Sequence, residues 1–243
     1  NLLSSAKLHF DKLKQKRKSF FRFHHVSTDE VFGSLGLNNY FDELTKYSPR
    51  SPYSASKASS DHLVSAWHHT FDLPVSITNC SNNYGPWQYH EKLIPTVILK
   101  AISNKEIPLY GSGENIRDWL HVDDHVDALL LAAINGKVGK TYCVGGNTEK
   151  SNKELVNLIC EYLDILKEQT SSYKNLIKEV KDRPGHDFRY ALDSKKILKK
   201  LKWKSKVNLK KGLENTFNWY FQNMKYYTTL KKKDITKRLG VVK

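Results

Sequence analysis

The sequence predicts an α/β protein: a parallel sheet covered by crossover helices, with a mixed C-terminal portion. Three observations predict it. Short runs rich in β-branched and aromatic residues recur along the chain, as in "FFRFHHVS", "LPVSITNC" and "KTYCVGG". Longer stretches with apolar residues at helical spacing lie between them, such as "SPYSASKASSDHLVSAWHHTF" and "HVDALLLAAIN". Strand and helix then alternate, which is the pattern of right-handed crossovers in an α/β sheet.

In order, residues 1–18 read as helix ending in the basic run "KLKQKRK". "FFRFHHVS" reads as a strand that delivers Ser27, Thr28, Asp29 and Glu30 at its C-terminal end. The next helix has Pro52 near its start and Ala58, Leu63, Val64 and Trp67 at helical spacing. "LPVSITNC" is a second buried strand and leads into the loop "SNNYGPW". "KLIPTVILKAISN" reads as a helix broken into by Pro95, and "IPLYGSGENIRDWLHVDD" as strand and turn. The helix "HVDALLLAAIN" stops at Gly136, and two glycines close the strand "KTYCVGG". In "SNKELVNLICEYLDIL", Ser151 and Glu154 have capping-box spacing. There is no internal repeat and no low-complexity linker.

Composition narrows the class. At 243 residues, with 39% hydrophobic and 12% aromatic, the chain can bury a sizeable core rather than stay disordered. Its longest apolar run, "ALLLAAI", is too short to cross a bilayer, and no signal-peptide pattern opens the chain, so no membrane partner is expected. Cys80, Cys143 and Cys160 have no CxxC spacing and cannot all pair, so a reduced cytoplasmic setting is expected. The net charge of +15 raises nucleic acid as a partner. Its lysines are scattered, with no interleaved aromatic platform and no helix-turn-helix or zinc spacing, so the excess reads as solvated surface. The chain opens on "NLLSSAKLHF" without Met and as if inside a helix, so its true start is expected to lie upstream.

The chemistry concentrates in three places. Tyr53 and Lys57 in "YSASK" are four apart on one predicted helix and share a face. A phenol of pKa about 10 is a poor base at neutral pH, and a nearby ammonium would favour its phenolate. Alone, Tyr-x-x-x-Lys is a common feature of helix surfaces. Asp29 and Glu30 stand side by side at a strand end, where a surface turn is the bland reading because buried carboxylates need partners. "NCSNNYGP" ends the following strand. All three could meet at the carboxyl edge of a parallel sheet, where α/β folds place ligands. His121 and His125 in "HVDDH" could hold zinc by spacing, but the Glu of a metalloprotease helix is absent between them, so no metal is expected. The "HH" pairs at 24–25 and 68–69 read as packing or surface, and Asp123 as a helix N-cap.

The stretches "FRFHHVSTDEVFG", "SPYSASKASSDHLV", "TNCSNNYGPWQYHEKLIP", "IPLYGSGENIRDWLHVDDH", "GKTYCVGG" and "DRPGHDFRYALD" together carry a resemblance. The chain resembles the dTDP-glucose 4,6-dehydratases, in the nucleotide-sugar branch of the extended short-chain dehydrogenase/reductase superfamily. Related epimerases share Tyr-x-x-x-Lys but not the acid pair, so "TDE" points to dehydration. The resemblance implies the C-terminal part of a Rossmann-type NAD-binding sheet plus a smaller mixed α/β substrate domain. Residues 1–100 would be the remaining half of the Rossmann-type domain, with the catalytic residues. Residues 101–230 would mainly bind the nucleotide sugar, the chain crossing between the two, and 231–243 would be a basic tail.

The chemistry implied is transient oxidation of a dTDP-sugar. Tyr53 would take the C4 hydroxyl proton as hydride leaves C4 for NAD. Glu30 would take the C5 proton while Asp29 protonates the departing C6 hydroxyl, and hydride returns to C6. Acid and base on neighbouring carbons require the two carboxyls to titrate apart. Thr28 would hydrogen-bond near C4, and Lys57 would hold the nicotinamide ribose and tune Tyr53, with Asn83 beside the cofactor. By the same resemblance Asn82, Lys92, Leu93, Pro108, Tyr110, Arg117, Asn152, Arg183 and His186 would contact the sugar nucleotide, whose phosphates also suit a positive surface. Read from the residues alone, Arg117 could equally pair with Asp118 or Asp123. The complete protein is expected to be a homodimer, through helices around residues 1–16 and 53–70.

One departure stands out. No strand–glycine-rich turn–helix for a pyrophosphate is found, since "GSGENI" lacks the third glycine and belongs to the sugar pattern. The chain is therefore expected to be roughly the last two-thirds of such an enzyme, weak in NAD binding and inactive as given, with "FFRFHHV" as an exposed sheet edge. Two other readings remain open at this stage: a UDP-sugar 4,6-dehydratase, and a non-catalytic remnant serving as a partner subunit or binding module.

Overall fold

A computed structural model describes residues 1–167 and 171–229 of the chain; the basic tail expected over 231–243 lies outside the described residues. Along the chain run α1 (Leu2–Lys12), α2 (Gln15–Lys18), β1 (Phe23–Thr28), α3 (Pro52–Phe71), β2 (Val75–Cys80), β3 (Asn82–Tyr84), α4 (Leu93–Ile102) and β4 (Ile107–Tyr110). They continue with β5 (Ile116–His121), α5 (Val122–Asn135), β6 (Lys140–Val144), β7 (Glu149–Ser151), α6 (Asn152–Leu166), β8 (Ile177–Val180), α7 (Lys195–Leu201), α8 (Leu209–Gln222) and α9 (Met224–Thr229). The described residues divide into two compact units, one of residues 1–83, 117–149 and 187–206, the other of 84–116, 150–167, 171–186 and 207–229.

In the first unit β1, β2 and β6 form a parallel sheet in that order, with Ser27 opposite Asn79 and Asn79 opposite Cys143. Every residue of the central strand β2 is buried, including Ser76, Thr78 and Asn79. Buried polar side chains need partners, and the neighbouring strand supplies them: the His24 ring lies 2.8 Å from Ser76 Oγ and 3.2 Å from Thr78 Oγ1. Helix α3 starts where Pro52 follows Ser51, and Ser51 and Ser54 cap each other reciprocally. It ends at Asp72 in the left-handed region.

Cys143 packs in a cluster with Ala58 of α3, whereas Tyr142 and Val144 pack with Ala128 and Ala132 of α5. Successive strand residues face opposite ways, so α3 and α5 cover opposite faces of the sheet. Beneath α3, Val64, Leu73, Val75 and Ile77 form a further cluster, joined by Leu3 and Phe10 of α1.

Three local expectations need correction. The helix expected over 1–18 is two, because Leu13 and Lys14 are extended, which lets Phe21 fold back until its ring lies 5.3 Å from Phe10. Pro95 does not break α4; it is the third residue, where a helix has no bond for its N–H to lose. The N-cap of α5 is His121, whose ring accepts from the Asp123 amide, and Asp123 sits in the first turn, where a carboxylate suits the helix dipole.

In the second unit β4 and β8 pair in parallel, Ile107 opposite Ile177 and Tyr110 opposite Val180. Helix α6 carries the expected capping box of Ser151 and Glu154 and buries Leu155, Val156, Ile159, Cys160 and Leu163. Helix α8 buries Leu209, Leu213, Phe217 and Tyr220. That spacing is an apolar stripe on one helix face.

Candidate active site

The first unit contains Thr28, Asp29, Glu30, Tyr53, Lys57, Asn82, Asn83 and Arg117; the second contains Lys92, Leu93, Pro108, Tyr110, Asn152, Arg183 and His186. In the first unit β1 ends at Thr28, and Asp29–Phe32 continue as one 3-10 turn capped by the Thr28 hydroxyl, which accepts from the Glu30 amide. Thr28 in turn donates to Asp29 Oδ1 at 3.2 Å. Asp29 is only 2% exposed, and its Oδ2 is buried with no hydrogen-bond partner. Burial pushes the Asp29 carboxyl up to about 8, and the charges of Glu30 and Asp118 add to the rise while Arg117 opposes it. The surface-turn reading of the acid pair is therefore excluded. At neutral pH Asp29 is an acid holding its proton beside a second carboxylate.

Tyr53 is half exposed on α3, and Lys57 lies one turn on. Lys57 Nζ donates to the Val26 carbonyl at 2.7 Å. The Tyr53 phenol is pushed up to about 12, chiefly by desolvation and then by Glu30. Desolvation is the larger cause and the neighbouring carboxylates add to it, while the Lys57 ammonium is held against a backbone carbonyl. Asn83 donates to the Ser81 carbonyl and to Cys80 Sγ, and Asn82 Oδ1 is buried without a partner.

Arg117, 6% exposed, donates to the carbonyls of Asp187 at 2.9 Å and Phe188 at 3.2 Å and lies 4.3 Å over the Tyr190 ring. Asp118 instead accepts the amides of Gly146 and Thr148. Asp123 lies 3.6 Å from the His121 ring.

Within the second unit, Lys92 is the N-cap of α4 and Leu93 its first residue, and Asn152 opens α6. Pro108 and Tyr110 lie on β4. The Arg183 guanidinium sits 5.4 Å over the Tyr110 ring and 2.7 Å from His186 Nε2, while His186 Nδ1 is 2.7 Å from Asp182. Tyr110, Arg183 and His186 are thus one stacked, hydrogen-bonded group, able to face an aromatic base or an anion. Among the described residues no set of three or more His, Cys, Asp or Glu could hold a metal ion.

Sequence reasoning missed two groups in the first unit. Asp61 collects donors from His25, Ser27, Tyr47 and Asn79. Tyr190 donates to Asp187 at 2.6 Å beneath Arg117. The spacing of Asp61, eight residues after Tyr53 and so on the same helix face, was the available signal.

Comparison with known proteins completes the picture. Residues 1–216 match the family model for GDP-mannose 4,6 dehydratase. The chain is 50% identical over 242 residues to a probable dTDP-glucose 4,6-dehydratase of Sinorhizobium fredii, spanning 99% of this chain and 69% of that protein. It is 49% identical to dTDP-glucose 4,6-dehydratase 1 of Escherichia coli, spanning 95% of this chain and 66% of that one. The solved dTDP-glucose 4,6-dehydratase of Bacillus anthracis, in complex with NAD, superposes with a TM-score of 0.81 at 43% identity, covering 93% of this chain and 67% of that one. The chain thus spans about two thirds of the length of these relatives. An epimerase of Thermotoga maritima, at 24% identity and a TM-score of 0.79, shares the fold. With the acid pair, the Tyr-x-x-x-Lys helix and matches of this extent in hand, the chain belongs to the nucleotide-sugar 4,6-dehydratase family, among the dTDP-glucose 4,6-dehydratases.

Proposed function

We propose that the protein containing this chain dehydrates dTDP-glucose to dTDP-4-keto-6-deoxyglucose. One observation carries the reading: Asp29 is 2% exposed, with its Oδ2 lacking a hydrogen-bond partner, directly beside Glu30, and that burial pushes its carboxyl up to about 8. Elimination of water across two adjacent carbons needs such a pair, one acid and one base. Asp29 gives its proton to the C6 hydroxyl as it leaves, and Glu30 takes the C5 proton. Thr28 hydrogen-bonds near C4, and Tyr53 takes the C4 hydroxyl proton. Asn82, Lys92, Leu93, Pro108, Tyr110, Arg117, Asn152, Arg183 and His186 keep the sugar-nucleotide contacts that the family pattern gives them.

The residues present fit the nicotinamide end of NAD. Lys57 carries an ammonium donor on the Tyr53 face of α3, Asn83 follows β2, and the partnerless Asn82 Oδ1 marks that stretch as built for a ligand. Tyr53, Lys57 and Asn83 would hold it. NAD supplies the temporary hydride acceptor and a cationic ring that favours the phenolate of Tyr53.

The test is mass spectrometry of the complete protein with dTDP-glucose and UDP-glucose side by side. Loss of one water from the dTDP sugar, abolished in Asp29→Asn and Glu30→Gln, is expected; equal turnover of UDP-glucose would sink the base preference, and no turnover the whole reading. We propose further that the complete protein is a homodimer through α1 and α3, on which Leu2, Leu8 and Leu63 are more than half exposed. Sedimentation of a Leu63→Glu variant as a monomer would support this, and an unchanged dimer would refute it.

A further inference from the structure

Asp61 is 2% exposed and accepts four hydrogen bonds from three other segments. Its Oδ1 lies 2.9 Å from His25 Nε2, and its Oδ2 receives Ser27 Oγ at 2.7 Å, Tyr47 OH at 2.8 Å and Asn79 Nδ2 at 3.3 Å. A buried carboxylate is tolerated when donors surround it. Four donors fill the acceptor sites of one carboxylate, and their positions have a pattern. Tyr53, Lys57 and Asp61 are spaced by four on α3 and line one face of it. That face is tied to the last residues of β1 one after another. Lys57 donates to the Val26 carbonyl at 2.7 Å, Ser27 donates to Asp61, and Asn79, itself bound to Asp61, donates to the Thr28 carbonyl at 3.1 Å. The next residues are Asp29 and Glu30.

We infer that Asp61 is a positioning residue: through Ser27 and Asn79 it fixes the register of α3 against the end of β1, and so the place of Tyr53 relative to Asp29 and Glu30. It touches neither substrate nor cofactor. Its catalytic consequence rests on the dehydratase reading; its structural consequence does not.

Asp61→Asn and Asp61→Ala separate the possibilities. The Asn oxygen can accept from Ser27, Tyr47 and Asn79 while its amide donates to His25 in the other ring tautomer. The register is then kept without the charge. Ala removes the acceptor altogether.

In this chain labelled with 13C-aspartate, the NMR titration of Asp29 reads whether its burial beside Glu30 survives. Asp61→Asn is expected to leave Asp29 near its raised value, and Asp61→Ala to return it toward the ordinary carboxylate range. Leu73→Ala, at a buried core position that takes no part in these bonds, is expected to destabilise the fold and leave Asp29 unmoved. If Asp61→Ala does not fold, Ser27→Ala and Tyr47→Phe each remove one donor and are expected to lower the Asp29 value part of the way.

In the complete protein Asp61→Ala is expected to lower kcat by roughly 100-fold, the scale of a 1 Å misplacement, with KM within about twofold, and Asp61→Asn to recover most of it. Equal titration of Asp29 in all variants, or a fall of KM and kcat together with no rescue by Asn, would overturn the inference. An inactive wild-type protein with the NMR pattern intact would leave the positioning standing and remove the dehydratase reading instead.

Discussion

The ammonium of Lys57 lies 2.7 Å from the carbonyl oxygen of Val26, one helical turn from Tyr53 on the same helix. That bond anchors α3 to β1, and it holds a positive charge on the backbone instead of on the phenol. With desolvation and Glu30 acting on it, Tyr53 is protonated up to about pH 12. Spectrophotometric titration of this chain against its Tyr53→Phe variant is expected to find the missing tyrosine ionising near that value. A difference signal centred near pH 7 or 8 would overturn the electrostatics of the site.

Asp29 has the opposite consequence, for stability. Its folded value of about 8 lies above the unfolded value of about 3.9, so between them the folded state holds a proton that the unfolded state has released. Stability is whole below pH ~4 and falls as pH rises through the window, at up to about 1.4 kcal/mol per pH unit. Asp29→Asn is neutral throughout and escapes that loss. Urea unfolding from pH 4 to 9 is expected to show the variant gaining on the parent steadily toward pH 8, and parallel curves would contradict the buried acid. Such a group is kept at the expense of the fold, which is what a site residue does.

The strands β1 and β2 and the helix α3 were legible because each is written in adjacent residues: apolar runs, a Ser-Pro start and a helical period. The acid pair was legible as chemistry but not as environment. Nothing in "STDEVFG" says that Asp29 is buried and Glu30 less so. Asp61 was missed for a related reason. A carboxylate four residues after a lysine reads as a surface pair, and its true partners stand 14 to 36 residues away on other segments. The spacing of Tyr53 and Lys57 brings them to one face but cannot report that the Val26 carbonyl accepts a bond from the ammonium.

Arg117 joins two of these effects. It donates to the carbonyls of Asp187 and Phe188, and its charge partly offsets the rise at Asp29. Arg117→Met is expected to cost about 1–3 kcal/mol in urea unfolding, because two carbonyls lose charged donors. It is also expected to move the Asp29 titration above the parent value. A stability loss without that movement would mean that Arg117 acts on the loop alone.

Gly212 tests the packing of the second unit. It lies inside α8, where replacing glycine by alanine ordinarily gains about 1 kcal/mol. Here a Cβ would come within 2.8 Å of Tyr84 Cζ and 2.9 Å of its Cε2, and Tyr84 is 2% exposed. A buried ring cannot swing aside without disturbing its neighbours, and overpacking of this kind costs about 1–3 kcal/mol. The clash therefore outweighs the helical gain, and Gly212→Ala is expected to lower the unfolding temperature. Combined with Tyr84→Leu, which opens the space, the glycine substitution should cost less than it does alone, a coupling that a double-mutant cycle reads directly. An alanine that stabilises the chain by itself would show that Tyr84 does not press on α8.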